Sequence, residues 1–210
     1  MSTTNVSRAA TAGLIGGALW ALLPVAWASA HLEDTRSGTL AWFGVDAVYW
    51  IFPVLAPLLI VVGLTALRRA LGDGAGRVGL TGIAVAAVGT AAMALGNGIE
   101  VASMTAGGGE VSLGHALFLI GFLVSVLGSV VVGIVVFRRR HDALSRAAAL
   151  LLALALPLGI GIGILGSAIA PANDAAFWAA ISLPTGIAWV LLGRSLSARR
   201  AAQLSEFVPA

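Results

Sequence analysis

The sequence has no cysteine and no lysine, and only 10% of its 210 residues are charged. Without cysteine the chain can form no disulfide, no thiolate metal site and no cysteine nucleophile. Soluble domains carry about 25% charged residues, whereas 59% of this chain is apolar and its mean hydropathy is +1.01. One core cannot hide so much apolar surface from water. The composition therefore excludes a water-soluble monomer and indicates that lipid surrounds much of the chain.

The basic pI of about 11.0 comes from twelve basic residues, all of them arginine. Basic chains often bind nucleic acid, but these arginines stand in short clusters at the ends of apolar runs. Membrane topology is the commoner cause of that arrangement. We therefore expect the lipid bilayer, and no nucleic acid, as a partner of this chain.

Six long segments contain no Arg, Asp or Glu and predict transmembrane helices. At about 1.5 Å per residue, about 20 residues cross a hydrocarbon core of about 30 Å, and each segment is long enough. Strands of a membrane barrel would instead alternate in polarity over about 10 residues. We predict an all-α polytopic bundle of six transmembrane helices over residues 9–196, with short segments 1–8 and 197–210 outside it. The spans are 9–30, 47–67, 78–99, 111–137, 147–173 and 175–193.

The arginines fall on alternating sides of this predicted bundle. Eleven lie at the N-terminus, in the loops after the second and fourth spans, and after the sixth span, whereas Arg36 alone lies on the other side. Short loops rich in arginine stay in the cytoplasm. Both termini are therefore predicted to be cytoplasmic, in a multi-pass protein of the cell membrane.

Residues 1–30 allow a second interpretation. Arg8, an apolar stretch and Ala28-Ser29-Ala30 resemble a signal peptide with its cleavage site, although the apolar run is longer than the core of about 7–15 residues in such peptides. Cleavage would leave five spans and a free amino group on His31, which could chelate copper. At the level of the sequence both alternatives stay open.

Small residues recur at four-residue spacing within the predicted spans, as in Gly13 and Gly17. Such stripes let helices approach closely in lipid. We interpret them as packing surfaces inside one bundle, with a homo-oligomer or a membrane protein partner as the alternative. Prolines inside the spans are expected to kink them, most strongly where Pro53 and Pro57 stand one turn apart. The others expected to do so are Pro24, Pro157 and Pro184.

Ionisable residues gather at the predicted outer boundary. Counting residues outward from the inner arginines places four of them at one depth, about 30–35 Å away; they are Asp46, Glu100, His115 and Asp174. Asn97 lies one turn deeper than Glu100 on the same helix face, and His31 lies at a similar outer level. We predict an outward-facing pocket for a cation, a proton or a polar head group, formed by Glu100, His115, Asp46, Asn97 and His31. The alternative is that these polar groups only mark the ends of the helices.

Aromatic residues also concentrate near this outer boundary. We interpret them as an anchor belt at the level of the lipid headgroups, with an aromatic ligand cage as the alternative. They are Trp27, Trp42, Phe43, Tyr49, Trp50, Phe177 and Trp178.

Motifs that carry chemistry are absent, so no catalytic residue, metal ligand or cofactor is predicted. The chain has no pair of histidines four residues apart, no phosphate-binding glycine loop and no G-x-S-x-G sequence. Axial ligation of haem by His31 and His115 is an alternative. Enzyme activity has no support from the sequence.

One stretch of the sequence resembles a family. Arg68-Arg69, a glycine-rich turn and a Gly/Ala-rich span that ends near Glu100 are followed by Gly114-His115-Ala116-Leu117-Phe118. Over residues 47–195 this pattern resembles a loose group of small, uncharacterised multi-pass membrane proteins of GC-rich bacteria and archaea, which implies fold and location only. The six-span layout is also similar to vitamin-binding subunits of energy-coupling transporters, whose distinguishing motifs the chain lacks.

From these features we expect a small transporter or a subunit of a transport complex. A non-catalytic membrane scaffold or partner subunit is the first alternative. A haem- or metal-binding membrane protein is the second.

Overall fold

A computed structural model of the chain describes residues 3–34, 50–109, 111–140, 142–169 and 174–205. These residues form seven α-helices, a π-helical turn at Ile51–Leu55 before the second helix, and a 3-10 turn at Gly72–Ala75 after it. The helices are α1 Thr3–Asp34, α2 Ala56–Leu71, α3 Gly76–Thr105, α4 Ser112–Arg139, α5 Ala143–Ala153, α6 Ala155–Ile169 and α7 Ala175–Ser205.

Four helical stretches are long and apolar enough to cross a membrane: Ser7–Ala28, Ile51–Thr105, Ser112–Arg139 and Ala175–Ala198. The pair α5 and α6 makes a fifth if it is counted as one span. The stretch Ile51–Thr105 would be about 80 Å long if it were straight, yet its residues Pro53 and Asn97 form a hydrogen bond. It therefore folds back on itself at the 3-10 turn, and α2 and α3 form a hairpin. The predicted all-helical class is confirmed.

The predicted fifth span is not a single straight helix, and its break lies close to Pro157, where the sequence predicts a kink. Helix α5 ends at Ala153, α6 begins at Ala155, and the two are bent by 68°. Pro157 explains the break, since it has no N–H to donate to the carbonyl of Ala153 and its ring crowds that carbonyl. The kink expected from Pro157 thus divides the span, whereas Pro24 and Pro184 lie inside unbroken helices.

The start of α2 is distorted where Pro53 and Pro57 stand one turn apart, but the expectation that the strongest kink lies there is not borne out, since the bend of 68° lies in the fifth span. Ala56 donates its backbone N–H to the carbonyl of Ile51, five residues back, which defines a π-helical turn. Pro57 cannot donate to the carbonyl of Pro53. Asn97 on α3 supplies the missing donor, with Nδ2 of Asn97 lying 3.0 Å from the carbonyl oxygen of Pro53.

Small residues allow the helices to pack closely within the chain. Helix α1 packs against α2 and α7, α3 against α4, α4 against α5, and α7 against α5 and α6. A methyl group on Gly89 would overlap the backbone of Ser125, and one on Gly128 would overlap the backbone of Ala86. Gly13 likewise faces Gly63. The predicted glycine stripes therefore include real contacts inside the bundle.

The two ends of the bundle differ in charge. One end, which we call the arginine end, carries Arg8, Arg68, Arg69, Arg77, Arg138, Arg139, Arg140, Arg146 and Arg194 among the described side chains. There Asp142 accepts hydrogen bonds from the backbone N–H of Ser145 and the hydroxyl of Ser195, at 2.9 and 2.8 Å. Arg140 also donates to the carbonyl of Ala70 at 2.8 Å. These contacts tie α2, α4, α5 and α7 together at this end.

Candidate functional site

A cavity of about 470 Å³ lies at the opposite end of the bundle from the arginines. Its volume falls within the range of about 300–1,000 Å³ that is usual for small-molecule sites. Helices α1, α3, α4 and α7 and the π-helical turn all contribute to its walls. The lining residues are Trp27, Pro53, Asn97, Glu100, Val101, Met104, His115, Phe118, Asp174, Phe177 and Trp178.

Glu100 and His115 form the polar centre of one wall. The carboxylate oxygen Oε1 of Glu100 lies 3.3 Å from Nδ1 of His115. The side chain of Glu100 is 20% exposed and that of His115 is 49% exposed. The pair therefore joins a sheltered carboxylate to an imidazole at the mouth of the cavity.

Close packing of α3 on α4 brings this pair together. A methyl group on Gly114 would lie 2.8 Å from Cγ of Glu100 and 2.9 Å from the carbonyl oxygen of Gly96. Because Gly114 has no side chain, the side chain of Glu100 can cross α4 beside His115. Gly114 thus provides the space for the carboxylate of Glu100, and the next residue, His115, provides the imidazole that lies beside it.

Asn97 connects the cavity to the distorted start of α2. It is 5% exposed, lines the cavity, and donates from Nδ2 to the carbonyl of Pro53. Asn97, Glu100 and Met104 lie on one face of α3, at the spacing of three and four residues that a helix requires.

Asp174 adds a second carboxylate at the beginning of α7. It is exposed and lines the cavity, and its carbonyl accepts the backbone N–H of Trp178 at 3.1 Å. Depth counting from the sequence predicts the level of Asp174, but the predicted pocket does not include it. The order in which helices surround the cavity depends on tertiary packing, and that information is absent from a depth count.

An aromatic cluster forms the other wall, centred on Trp178. Its ring centroid lies 5.0 Å from that of Trp27, 5.7 Å from that of Phe118 and 5.5 Å from that of Phe177. Trp27, Phe177 and Trp178 are members of the predicted anchor belt, and all three line the cavity. Phe118 is not among the predicted pocket residues, although it lies three residues after His115 and therefore on the same face of α4.

The structure thus brings together three of the five predicted pocket residues, namely Asn97, Glu100 and His115. Asp46 lies outside the described residues. His31 belongs to α1, but its side chain is also outside the description. Among the described residues, no three His, Asp or Glu side chains come together in a way that could hold a metal ion.

The walls therefore combine carboxylates, one imidazole, one amide and four aromatic rings, and this set can bind a small ligand through charge, hydrogen bonds and ring contacts. Comparison with known proteins identifies no relative of this chain: no family model, no curated protein and no solved structure matches it.

Proposed function

We propose that the chain is an integral membrane protein of the cell membrane that binds a small ligand from the outer side, as a small transporter or as the binding subunit of a transport complex. The observation that carries the proposal is the cavity that Asn97, Glu100 and His115 line at the end of the bundle opposite to the arginines. In this arrangement the arginine end is cytoplasmic, in line with the positive-inside rule. The termini are then cytoplasmic, and the cavity faces outward.

The cost of placing ionisable groups in the membrane supports a functional role for the cavity. Ionisable residues in transmembrane helices are rare and usually mark ligand or ion pathways. Glu100 lies within α3, five residues before its last residue, and His115 lies within α4. If these polar groups served only to mark the ends of the helices, they could equally lie in the loops between the helices.

The π-helical turn next to the cavity also supports the proposal. Turns of this kind often occur at functional sites because they expose backbone groups and change the direction of side chains. Pro53, inside the turn, lines the cavity and bonds to Asn97. The binding wall and the distorted helix are therefore one structural unit.

Native mass spectrometry of the full chain, extracted with a mild detergent, tests this proposal. We expect a small molecule to remain bound to the natural protein and to be lost from Glu100→Gln and His115→Ala, while both variants keep the same circular dichroism spectrum. Asp73→Asn is the control, because Asp73 is an exposed carboxylate at the other end of the bundle.

Two results would contradict the proposal. One is a ligand whose occupancy is unchanged in Glu100→Gln, since the cavity would then not be its site. The other is stable co-purification of another protein with all variants and no bound small molecule, which would indicate a scaffold or partner subunit.

A further inference from the structure

We infer that the ligand of this cavity is a small organic cation, an alkylammonium group with weakly hydrated alkyl substituents. The inference rests on the proposed function, because it names the ligand class of the same cavity. It follows from the charge of the lining, from the arrangement of its rings and from one buried carboxylate oxygen.

The charge of the lining selects a cation. Glu100 and Asp174 are its two acids, and none of the described residues that line it is an arginine. The described arginines lie at the far end of the bundle. A cleft lined by acids concentrates cations, and with His115 neutral the two carboxylates give the cavity a net negative charge that favours a cation.

The rings around Trp178 select an organic cation. The planes of Trp27, Phe118 and Phe177 make angles of 44°, 49° and 74° with the plane of Trp178. The rings therefore are not stacked in parallel, and all four belong to residues that line the cavity. Aromatic faces attract alkylated ammonium groups, and several rings around one cavity are the usual way in which proteins bind them.

One carboxylate oxygen of Glu100 is buried beside His115 without accepting a hydrogen bond from it. Oε1 is buried and accepts no hydrogen bond within the described part of the chain, although Nδ1 of His115 lies 3.3 Å away. Buried polar atoms without a partner are rare in native proteins. A positive group in the cavity would compensate the negative charge on this buried oxygen.

An inorganic cation fits this arrangement less well. Calcium and magnesium require six or more oxygen ligands around the ion, and the described residues hold no group of three or more acids or histidines suited to a metal. Alkyl groups would also bury part of the apolar lining provided by Val101 and Met104. The size and the chemistry of the walls therefore agree on a small organic cation.

Binding of choline to the full chain in lipid nanodiscs tests the inference. The neutral analogue 3,3-dimethylbutan-1-ol has nearly the same shape without the charge, and 3,3-dimethylbutanoate carries the opposite charge. Tryptophan fluorescence reports binding, because Trp27 and Trp178 line the cavity, and calorimetry provides the affinity. We expect choline to bind at least about tenfold more tightly than the neutral analogue, and the anion not to bind.

Variants connect the measurement to the cavity. Glu100→Gln and Asp174→Asn are each expected to weaken choline binding about tenfold, whereas Asp73→Asn leaves it unchanged. Equal affinity for choline and the neutral analogue would overturn the inference and leave the proposed function intact. A co-purified ligand that is not a cation and that is lost from Glu100→Gln would also overturn the inference and leave the proposed function intact. If no probe binds and no small molecule co-purifies, the proposed function fails together with the inference.

Discussion

Nδ2 of Asn97 donates a hydrogen bond of 3.0 Å to the carbonyl oxygen of Pro53, across 44 residues of sequence. Pro57 leaves this carbonyl without its usual helical donor. The side chain of Asn97 therefore replaces a backbone hydrogen bond, and it fixes the π-helical turn against α3. Because both residues line the cavity, the bond that compensates for the missing helical donor also shapes the wall of the cavity.

The first prediction concerns this bond. Asn97→Leu preserves side-chain size but leaves the carbonyl of Pro53 without a donor, and it is expected to lower the free energy of unfolding by about 1–2 kcal/mol. In a Pro57→Ala background the backbone N–H of the alanine can donate to that carbonyl, so Asn97→Leu should lower the free energy of unfolding by a smaller amount. Denaturation in mixed detergent micelles measures the four proteins of this double-mutant cycle. Equal costs in both backgrounds would show that Pro57 is not the cause of the bond.

The second prediction concerns the contact between α3 and α4. Gly89→Ala would place a methyl group against the backbone of Ser125 and Gly121, and we expect a loss of about 1–3 kcal/mol in unfolding free energy. Gly161→Ala is the matched control, because a methyl group at Gly161 in α6 would meet nothing within 4 Å. Thermal denaturation followed by circular dichroism compares the two. Similar melting temperatures for both variants would contradict the close packing of α3 on α4.

The third prediction separates two buried serines of α7. The hydroxyl of Ser195 donates to Asp142 and lies 2.8 Å from the hydroxyl of Ser145, so Ser195→Ala is expected to cost about 1–2 kcal/mol. The hydroxyl of Ser182 is buried and has no hydrogen-bond partner among the described residues. Ser182→Ala should therefore leave the stability unchanged or raise it. Chemical denaturation of both variants checks the difference, and an equal loss would reveal a partner for Ser182.

The fourth prediction concerns orientation. The chain has no cysteine, so a single introduced cysteine reports its own location. Gly109 lies between α3 and α4, and Gly74 lies in the turn between α2 and α3. A side chain at either position would meet nothing within 4 Å, and neither is among the glycines with positive φ.

In intact cells we expect a membrane-impermeant maleimide to label Gly109→Cys but not Gly74→Cys. After permeabilisation of the cells both should react. The opposite pattern would place the arginine end outside and would overturn the proposed orientation.

Much of the helical fold could be predicted from the sequence, because an apolar run of bilayer length has few alternatives to a helix. The ends of the helices were less predictable. Helix α3 extends from Gly76 to Thr105, beyond the predicted span 78–99, and it includes Arg77 and Glu100. Charged residues end an apolar run, but they do not end a helix, since their side chains can reach water while the backbone hydrogen bonds continue.

The break in the fifth span shows a different limit. The sequence predicts a kink at each proline inside a span, yet Pro157 divides its span whereas Pro24 and Pro184 do not interrupt theirs. All three prolines remove the same donor. The missing donor alone therefore does not decide whether a helix breaks, and a count of prolines in the sequence cannot tell the three positions apart.

For the cavity, position along the chain predicts the level at which polar groups lie, because 1.5 Å per residue converts residue number into height along a helix. Residue counting therefore assigns Glu100, His115 and Asn97 to the same end of the bundle. Which of these groups face one another around the bundle depends on the packing of the helices. The tertiary structure places Asp174 and four aromatic rings in the same walls as these groups; the rings are those of Trp27, Phe118, Phe177 and Trp178. The depth of a residue does not specify such neighbours, because contacts between side chains of different helices depend on how the helices pack and on how each is rotated about its axis.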